Sequence, residues 1–363
     1  MRIYFDGLFF NQSGIGRYYE SILGALLAQD VSIYTSVNRN YRSEFEKKFS
    51  KFKNIDPIFV DYKQFDIHNF FDHSFLLQKL KYNIDVFFFP HINLPFNPPK
   101  NSVLTIHDFR PFTKSWDRSI YKKYFVQFLY LRAMQSVQKI VCISRQTQNA
   151  LLKFNKKIHN KSECIYEFVG NNFLISTHCQ KLIGSKYMLF VGTRKKHKNI
   201  LFALKSFVLI KNSVPHMFVL AGKRDSGATF DEIDAFVSQH NLENRVIQYT
   251  SPSDDEIVSL YQHADLFVFP SLFEGFGLPP LEAVACGCPA ILSDIPIFRE
   301  IFGDSGLYFS PQSEGNLSAL IMRLLMDEKA RGDLLAKQKE RLKLFDREKI
   351  VASYIELFES VAR

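Results

Sequence analysis

The 363-residue sequence has a single tryptophan, and nowhere do its apolar residues run unbroken for the roughly 18 positions that a membrane-spanning helix needs. A helical transmembrane protein is excluded on that ground. Cysteine is scarce: Cys142, Cys164, Cys179, Cys286 and Cys288 are odd in number, without a CxxC pair or a zinc-like spacing. A reduced cytoplasmic chain is expected, with neither a disulfide framework nor a structural zinc site. No DxD-type acidic pair follows a strand; Asp254-Asp255 opens a helix, where it suits the N-terminal dipole. No internal repeat, low-complexity tract or nucleic-acid-binding signature is present. The opening MRIYFDGLFF carries Asp6 inside its apolar run and no small-residue cleavage site, so it reads as a first strand rather than a secretion signal.

What is present is an ordinary globular composition, 46% hydrophobic and 23% charged, with 37 phenylalanines available for large cores and length for two domains. The net charge of +9 is lopsided. Residues 1–180 hold 24 Lys/Arg against 14 Asp/Glu, while the remainder is nearly balanced. A basic half suggests an anionic partner, either a membrane surface or a nucleic acid, with mere solubility as the plain alternative.

Short apolar runs alternate with helical periods from end to end. The strands read are Ile3–Phe5, Val31–Tyr34, Val86–Phe89, Ser102–Thr105, Lys139–Ile143, Tyr187–Val191, Met217–Ala221, Val246–Tyr249, Leu266–Phe269 and Pro289–Leu292. Helical stretches between them include Gly16–Leu27, Ile120–Ser136, Ile200–Ile210, Phe230–His240, Asp254–His263 and Asn316–Asp327. This is the α/β pattern of parallel sheets covered by helices, and ten strands are too many for one compact sheet. The division expected is a Rossmann-like, doubly wound domain over 1–168, a linker over 169–186, a second such domain over 187–345, and a C-terminal helix over 346–363 that packs back on the first. Ligands of such sheets sit beyond the carboxyl ends of the strands.

One segment carries most information: LFVFPSLFEGFGLPPLEAVACGCPAIL, residues 266–292. A strand runs into a loop with Gly275 and Gly277, prolines 279 and 280 suit a helix start, and Gly287 suits its end. Backbone amides at such a corner attract an anion. Glu274 and Glu282 beside it are suited to sugar hydroxyls rather than phosphate, or else are solvated acids flanking a structural turn. VGTRKKHKN, residues 191–199, is a second strand end followed by four cations, two of which could neutralise a departing diphosphate. As an isolated run it reads equally as a solvated face.

Together, EGFGLPPLE, the basic loop, SGIGRYYE, TIHDFRP and GDSGLYFSP resemble glycosyltransferase family 4, retaining enzymes of GT-B architecture in which two facing Rossmann-like domains enclose a cleft. The context is most similar to bacterial mannosyltransferases of surface polysaccharide and lipopolysaccharide synthesis. The resemblance implies Glu274 on the donor sugar, Glu282 on the ribose, and the backbone of Gly275, Phe276, Gly277 and Leu278 on sugar and diphosphate. It implies Lys198, with Arg194 as second cation, on the diphosphate. In the first half, Gly14 and Gly16 would touch the donor, His107 would lie at the reaction centre, and His91 and Asp108 would face the acceptor. The implied reaction moves a hexose from GDP-mannose or a UDP-sugar to a lipid-linked saccharide, without metal or other cofactor. Alternatives are a GT-B sugar synthase or phosphorylase using a soluble acceptor, and a non-catalytic sugar- or nucleic-acid-binding protein. Tyr41–Asn54 interleaves Phe45, Phe49 and Phe52 with Lys47, Lys48, Lys51 and Lys53, a pattern for a peripheral membrane helix or for an inward-packing amphipathic one.

Overall fold

A computed structural model describes residues 1–113, 116, 119–174, 179–224 and 229–362. The chain divides into two compact units, Met1–Phe168 with Asp346–Arg363, and Val169–Phe345.

In the first unit the elements run β1 (Arg2–Asp6), α1 (Ser13–Leu26), β2 (Ser32–Asn38), α2 (Arg42–Phe49), β3 (Ile55–Val60), α3 (Ile67–Leu80), β4 (Val86–Phe89), β5 (Ser102–Ile106), α4 (Ile120–Ser136), β6 (Lys139–Cys142), α5 (Arg145–Phe154) and β7 (Ser162–Cys164). The strands form one parallel sheet in the order β3-β2-β1-β4-β5-β6-β7. The order reverses between β1 and β4, and right-handed crossovers put the helices of the two halves on opposite faces. Central strands such as β4, VFFF, are buried on both sides, which is why they read as continuous apolar runs.

The second unit begins with a short helix, α6 (Asn171–Leu174), then runs β8 (Tyr187–Val191), α7 (Ile200–Ile210), β9 (Met217–Ala221), α8 (Glu232–Gln239), β10 (Val246–Tyr249), α9 (Asp254–His263), β11 (Leu266–Phe269), α10 (Leu278–Ala285), β12 (Ala290–Ser293), α11 (Pro296–Phe302), β13 (Leu307–Phe309), α12 (Glu314–Met326) and α13 (Glu328–Leu342). Its parallel sheet has the order β10-β9-β8-β11-β12-β13, reversing between β8 and β11. The final helix, α14 (Arg347–Ala362), returns to the first unit. There the Tyr354 hydroxyl lies 2.6 Å from that of Tyr18, whose oxygen is also 2.9 Å from Thr105 Oγ1.

One expectation is corrected and one open alternative is decided. Segment 169–186 is not a free linker: Phe173 and Ile183 are buried, and Phe173 packs edge-on against Tyr261 of the second unit. Residues 175–178 of that segment lie outside the described residues. The phenylalanines of Tyr41–Asn54 do not form an outward apolar face either. Phe45 and Phe49 are buried against each other and against Phe10, so α2 is an inward-packing helix with its lysines in solvent.

Candidate active site

The reversal point of the second sheet places the loops after β8 and β11 side by side, the position where open α/β sheets bind ligands. Backbone and side-chain bonds tie these loops together. The Leu272 amide donates to the His197 carbonyl at 2.7 Å, and the Ser271 hydroxyl reaches the same carbonyl at 3.2 Å. Asn199, in the left-handed region at φ 56°, ends the basic loop and starts α7. As a result Lys198 crosses to the other loop, where its Nζ donates to Glu274 Oε1 at 2.6 Å. The ammonium also lies over the Phe269 ring, 5.2 Å from its centroid. The two side chains are 14% and 13% exposed, so the pair is largely desolvated yet reachable from solvent.

Helix α10 starts beside this pair. Gly277 is its N-cap at φ 105°, and a Cβ there would fall 2.8 Å from Phe298 Cε1, so only glycine fits. Pro279 and Pro280 follow in the first turn and carry no amide. The donors that this helix start offers an anion are therefore the amides of Gly277 and Leu278. Phe276 is buried edge-on against Phe345, which anchors the loop, and Gly275 lies beside Glu274 on the same loop.

Glu282 and Arg194 are placed differently from expectation. Glu282 lies in the second turn of α10 and is 3% exposed rather than a solvated acid; the Tyr261 hydroxyl donates to its Oε2 at 3.3 Å. Arg194 is also buried, and its guanidinium is engaged elsewhere. It donates to Asp231 at 3.0 and 3.1 Å, to Asp234 at 3.3 Å and to Gln248. Burial alone would raise the Asp234 carboxyl, but hydrogen bonds from Arg224 and the Asp231 amide, with the Arg194 charge, hold it well below the usual range. Arg194 thus knits the β8 loop to the start of α8; the structure does not bring it to Lys198 and Glu274.

In the first unit, the equivalent strand ends carry the histidines. His107 follows β5, and its Nε2 lies 2.7 Å from the Pro90 carbonyl, which can only accept, so that nitrogen bears a proton. Its Nδ1 lies 3.5 Å from the buried carboxylate of Glu167, and its ring meets Tyr18 edge-on at 4.7 Å. The Pro90 carbonyl and the Tyr18 ring hold the His107 imidazole in a fixed orientation. His91 follows β4 and packs on Phe9 at 4.6 Å; burial, then the nearby His107, lower its imidazole to a pKa of about 3. It is neutral at physiological pH. Asp108 Oδ1 accepts from the Arg110 amide at 2.8 Å, closing the turn after His107. Gly16 admits the Phe9 carbonyl, which would lie 2.5 Å from a Cβ, whereas a Cβ on Gly14 would meet open space. Gly16 is thus required by packing and Gly14 is not. Tyr261 and Glu167 had no sequence signal, because Tyr261 reaches Glu282 from helix α9 and Glu167 approaches His107 from the loop after β7. Among the described residues no group of three His, Cys, Asp or Glu side chains is arranged to hold a metal.

Comparison with known proteins gives this geometry its context. Residues 180–341 match the family model of glycosyl transferases group 1. The O-antigen chain mannosyltransferase RfbU of Salmonella typhimurium is 29% identical over 225 residues, 62% of this chain and 61% of that protein. O-antigen chain mannosyltransferase B of Escherichia coli is 28% identical over 266 residues, 69% of each chain. The match to the first of these relatives therefore spans less than two thirds of its length. Among solved structures, Anabaena Alr3699/HepE in complex with UDP and glucose superposes with a TM-score of 0.76 at 15% identity, covering 99% of this chain and 100% of that one. That likeness establishes the fold, the two-unit GT-B architecture.

Proposed function

From the premise that residues 180–341 are a group 1 glycosyl transferase domain in a chain resembling bacterial mannosyltransferases, we propose that the protein is a retaining glycosyltransferase of surface-glycan synthesis. Its donor is a nucleotide diphosphate sugar, GDP-mannose before a UDP-sugar, and its acceptor a hydroxyl of a lipid-linked saccharide. The observation that carries this reading is the Lys198–Glu274 pair beside the Gly277 helix start, at the reversal point of the second sheet.

The chemistry follows from charge. The bond between the anomeric carbon and the diphosphate oxygen breaks, and negative charge grows on the leaving group. Lys198 and the amides of Gly277 and Leu278 face that charge, which is electrostatic stabilisation without a metal. The acceptor oxygen forms its bond on the face the diphosphate leaves, and its proton passes to a departing phosphate oxygen. No protein base is needed in this scheme. Glu274, released by Lys198 when the diphosphate arrives, accepts hydrogen bonds from donor-sugar hydroxyls. Glu282 would meet the ribose from its place beside Tyr261.

The test is a thermal-shift screen of UDP, GDP and their sugars, followed by transfer assays. Ligand at about 100 times its dissociation constant adds ~2.7 kcal/mol of stability. A protein stabilised by no nucleotide diphosphate would end this reading. Transfer to a free sugar would mark a synthase instead, and loss of turnover with EDTA would refute metal independence.

A further inference from the structure

Helix α4, IYKKYFVQFLYLRAMQS, is apolar on two opposite sides. Leu129, Tyr130, Ala133 and Met134 enter the core of the first unit. On the other side Tyr121, Tyr124, Phe125 and Phe128, at helical spacing, are 84%, 64%, 52% and 59% exposed. Nothing within the unit requires these rings, since the helix is already anchored by its inner face. The neighbouring helix α3 repeats the arrangement: Leu77 is buried, while Phe71 and Phe75 stand in solvent. The two stripes are continuous. Phe96 stacks on Phe71 with ring centroids 5.6 Å apart and planes 9° from parallel, and the Arg132 guanidinium of α4 covers Phe96 at 5.6 Å.

The charges on the two helices have one dominant sign. Helix α4 carries Lys122, Lys123 and Arg132 and no acid. On α3, Lys79 lies 4.3 Å over the Phe75 ring, and the acid Asp72 pairs with His68. Contiguous apolar surface of this extent is rare on a monomeric protein and marks a partner. Rings and long cations side by side are the composition of a group that lies at a bilayer surface, with rings among the acyl chains and cations at the headgroups. The charge of this surface fits anionic lipid.

We propose that this α3–α4 face docks the first unit on an anionic phospholipid bilayer. The surface is distinct from α2, whose rings are internal, and it does not depend on the transfer reaction proposed above.

The test uses the full chain and vesicles of phosphatidylcholine, alone or mixed with phosphatidylglycerol. The protein should float with the mixed vesicles and not with phosphatidylcholine alone. A cation near such a surface is worth about 1 kcal/mol, so Lys122→Gln with Lys123→Gln should weaken binding roughly 30-fold. Tyr124→Ser with Phe128→Ser should weaken it at least tenfold (roughly 0.8 kcal/mol per CH2 buried,). Both variants should keep the wild-type circular dichroism and the wild-type thermal shift with nucleotide, because Lys122, Tyr124 and Phe128 are exposed and half-buried Lys123 makes a single 3.4 Å bond to the Thr113 carbonyl. Lys47→Gln with Lys48→Gln on α2 should bind as wild type. The proposal is overturned if mixed vesicles do not bind, if the α4 variants bind undiminished, or if the α2 variant loses as much as they do. A dimer that Tyr124→Ser with Phe128→Ser dissolves would also overturn it, by assigning the face to a second copy of the chain.

Discussion

Lys198 Nζ lies 2.6 Å from Glu274 Oε1, so the cation proposed for a diphosphate and the acid proposed for a sugar hydroxyl satisfy each other. In the proposed reaction a donor separates them, and the two halves of the pair then do different work.

Their variants should therefore differ in sign. Lys198→Ala should weaken UDP or GDP binding by about 10- to 100-fold, the range of a charge-assisted hydrogen bond. Glu274→Ala should abolish transfer yet leave nucleotide diphosphate binding unchanged or tighter, because Lys198 loses its competitor. Calorimetric titration decides it; equal losses of affinity in both would contradict the arrangement.

Arg194 is a stabilising residue. Arg194→Ala leaves Asp231 without its cation and Gln248 without its donor, while Asp234 keeps Arg224, and unmaking such bonds costs about 1–3 kcal/mol. The melting temperature should drop sharply. A variant with the wild-type melting temperature and a selective loss of nucleotide affinity would restore Arg194 to the diphosphate.

Gly277→Ala should cost about 1–3 kcal/mol from the left-handed backbone alone, and more from contact with Phe298. Shortening the neighbour with Phe298→Leu should recover part of the stability. If the single variant is neutral in melting temperature and in nucleotide binding, the helix start is not constrained as described.

Asp6 gives a pH dependence. Burial raises its carboxyl from the usual 3.8 to about 7, against hydrogen bonds from the Leu8 amide and the Ser36 hydroxyl. The folded state thus holds a proton that the unfolded state releases, and stability present below pH 3.8 is lost as pH rises through about 7. Asp6→Asn should remove that slope and stabilise the protein at pH 8 by on the order of 3–4 kcal/mol, at about 1.36 kcal/mol per unit. Parallel pH–stability curves for the two proteins would show that Asp6 is not the group responsible.

The central strands were legible because burial on both faces demands continuous apolar residues, as in Val86–Phe89 and Leu266–Phe269. The three strands not read from sequence, β3, β7 and β13, all lie at sheet edges. An edge tolerates Asp56 and Pro57 in β3, and needs only three residues in β7 and β13. Helix α13 was also hidden, since Gln338 is its buried residue and anchors it by bonding both the amide and the carbonyl of Ala290. Polar anchoring of that kind leaves no apolar period.

The sequence by itself determined what depends on neighbours along the chain: the strand, the glycine-capped and proline-led helix start at residues 277–280, and the basic loop that faces it. Only the tertiary structure decided which charge meets which. Lys198 and Arg194 are four residues apart on one loop, yet one reaches Glu274 and the other Asp231, Asp234 and Gln248. Those partners arrive from other strands and helices of the sheet, and no spacing within the loop encodes the direction in which each cation turns.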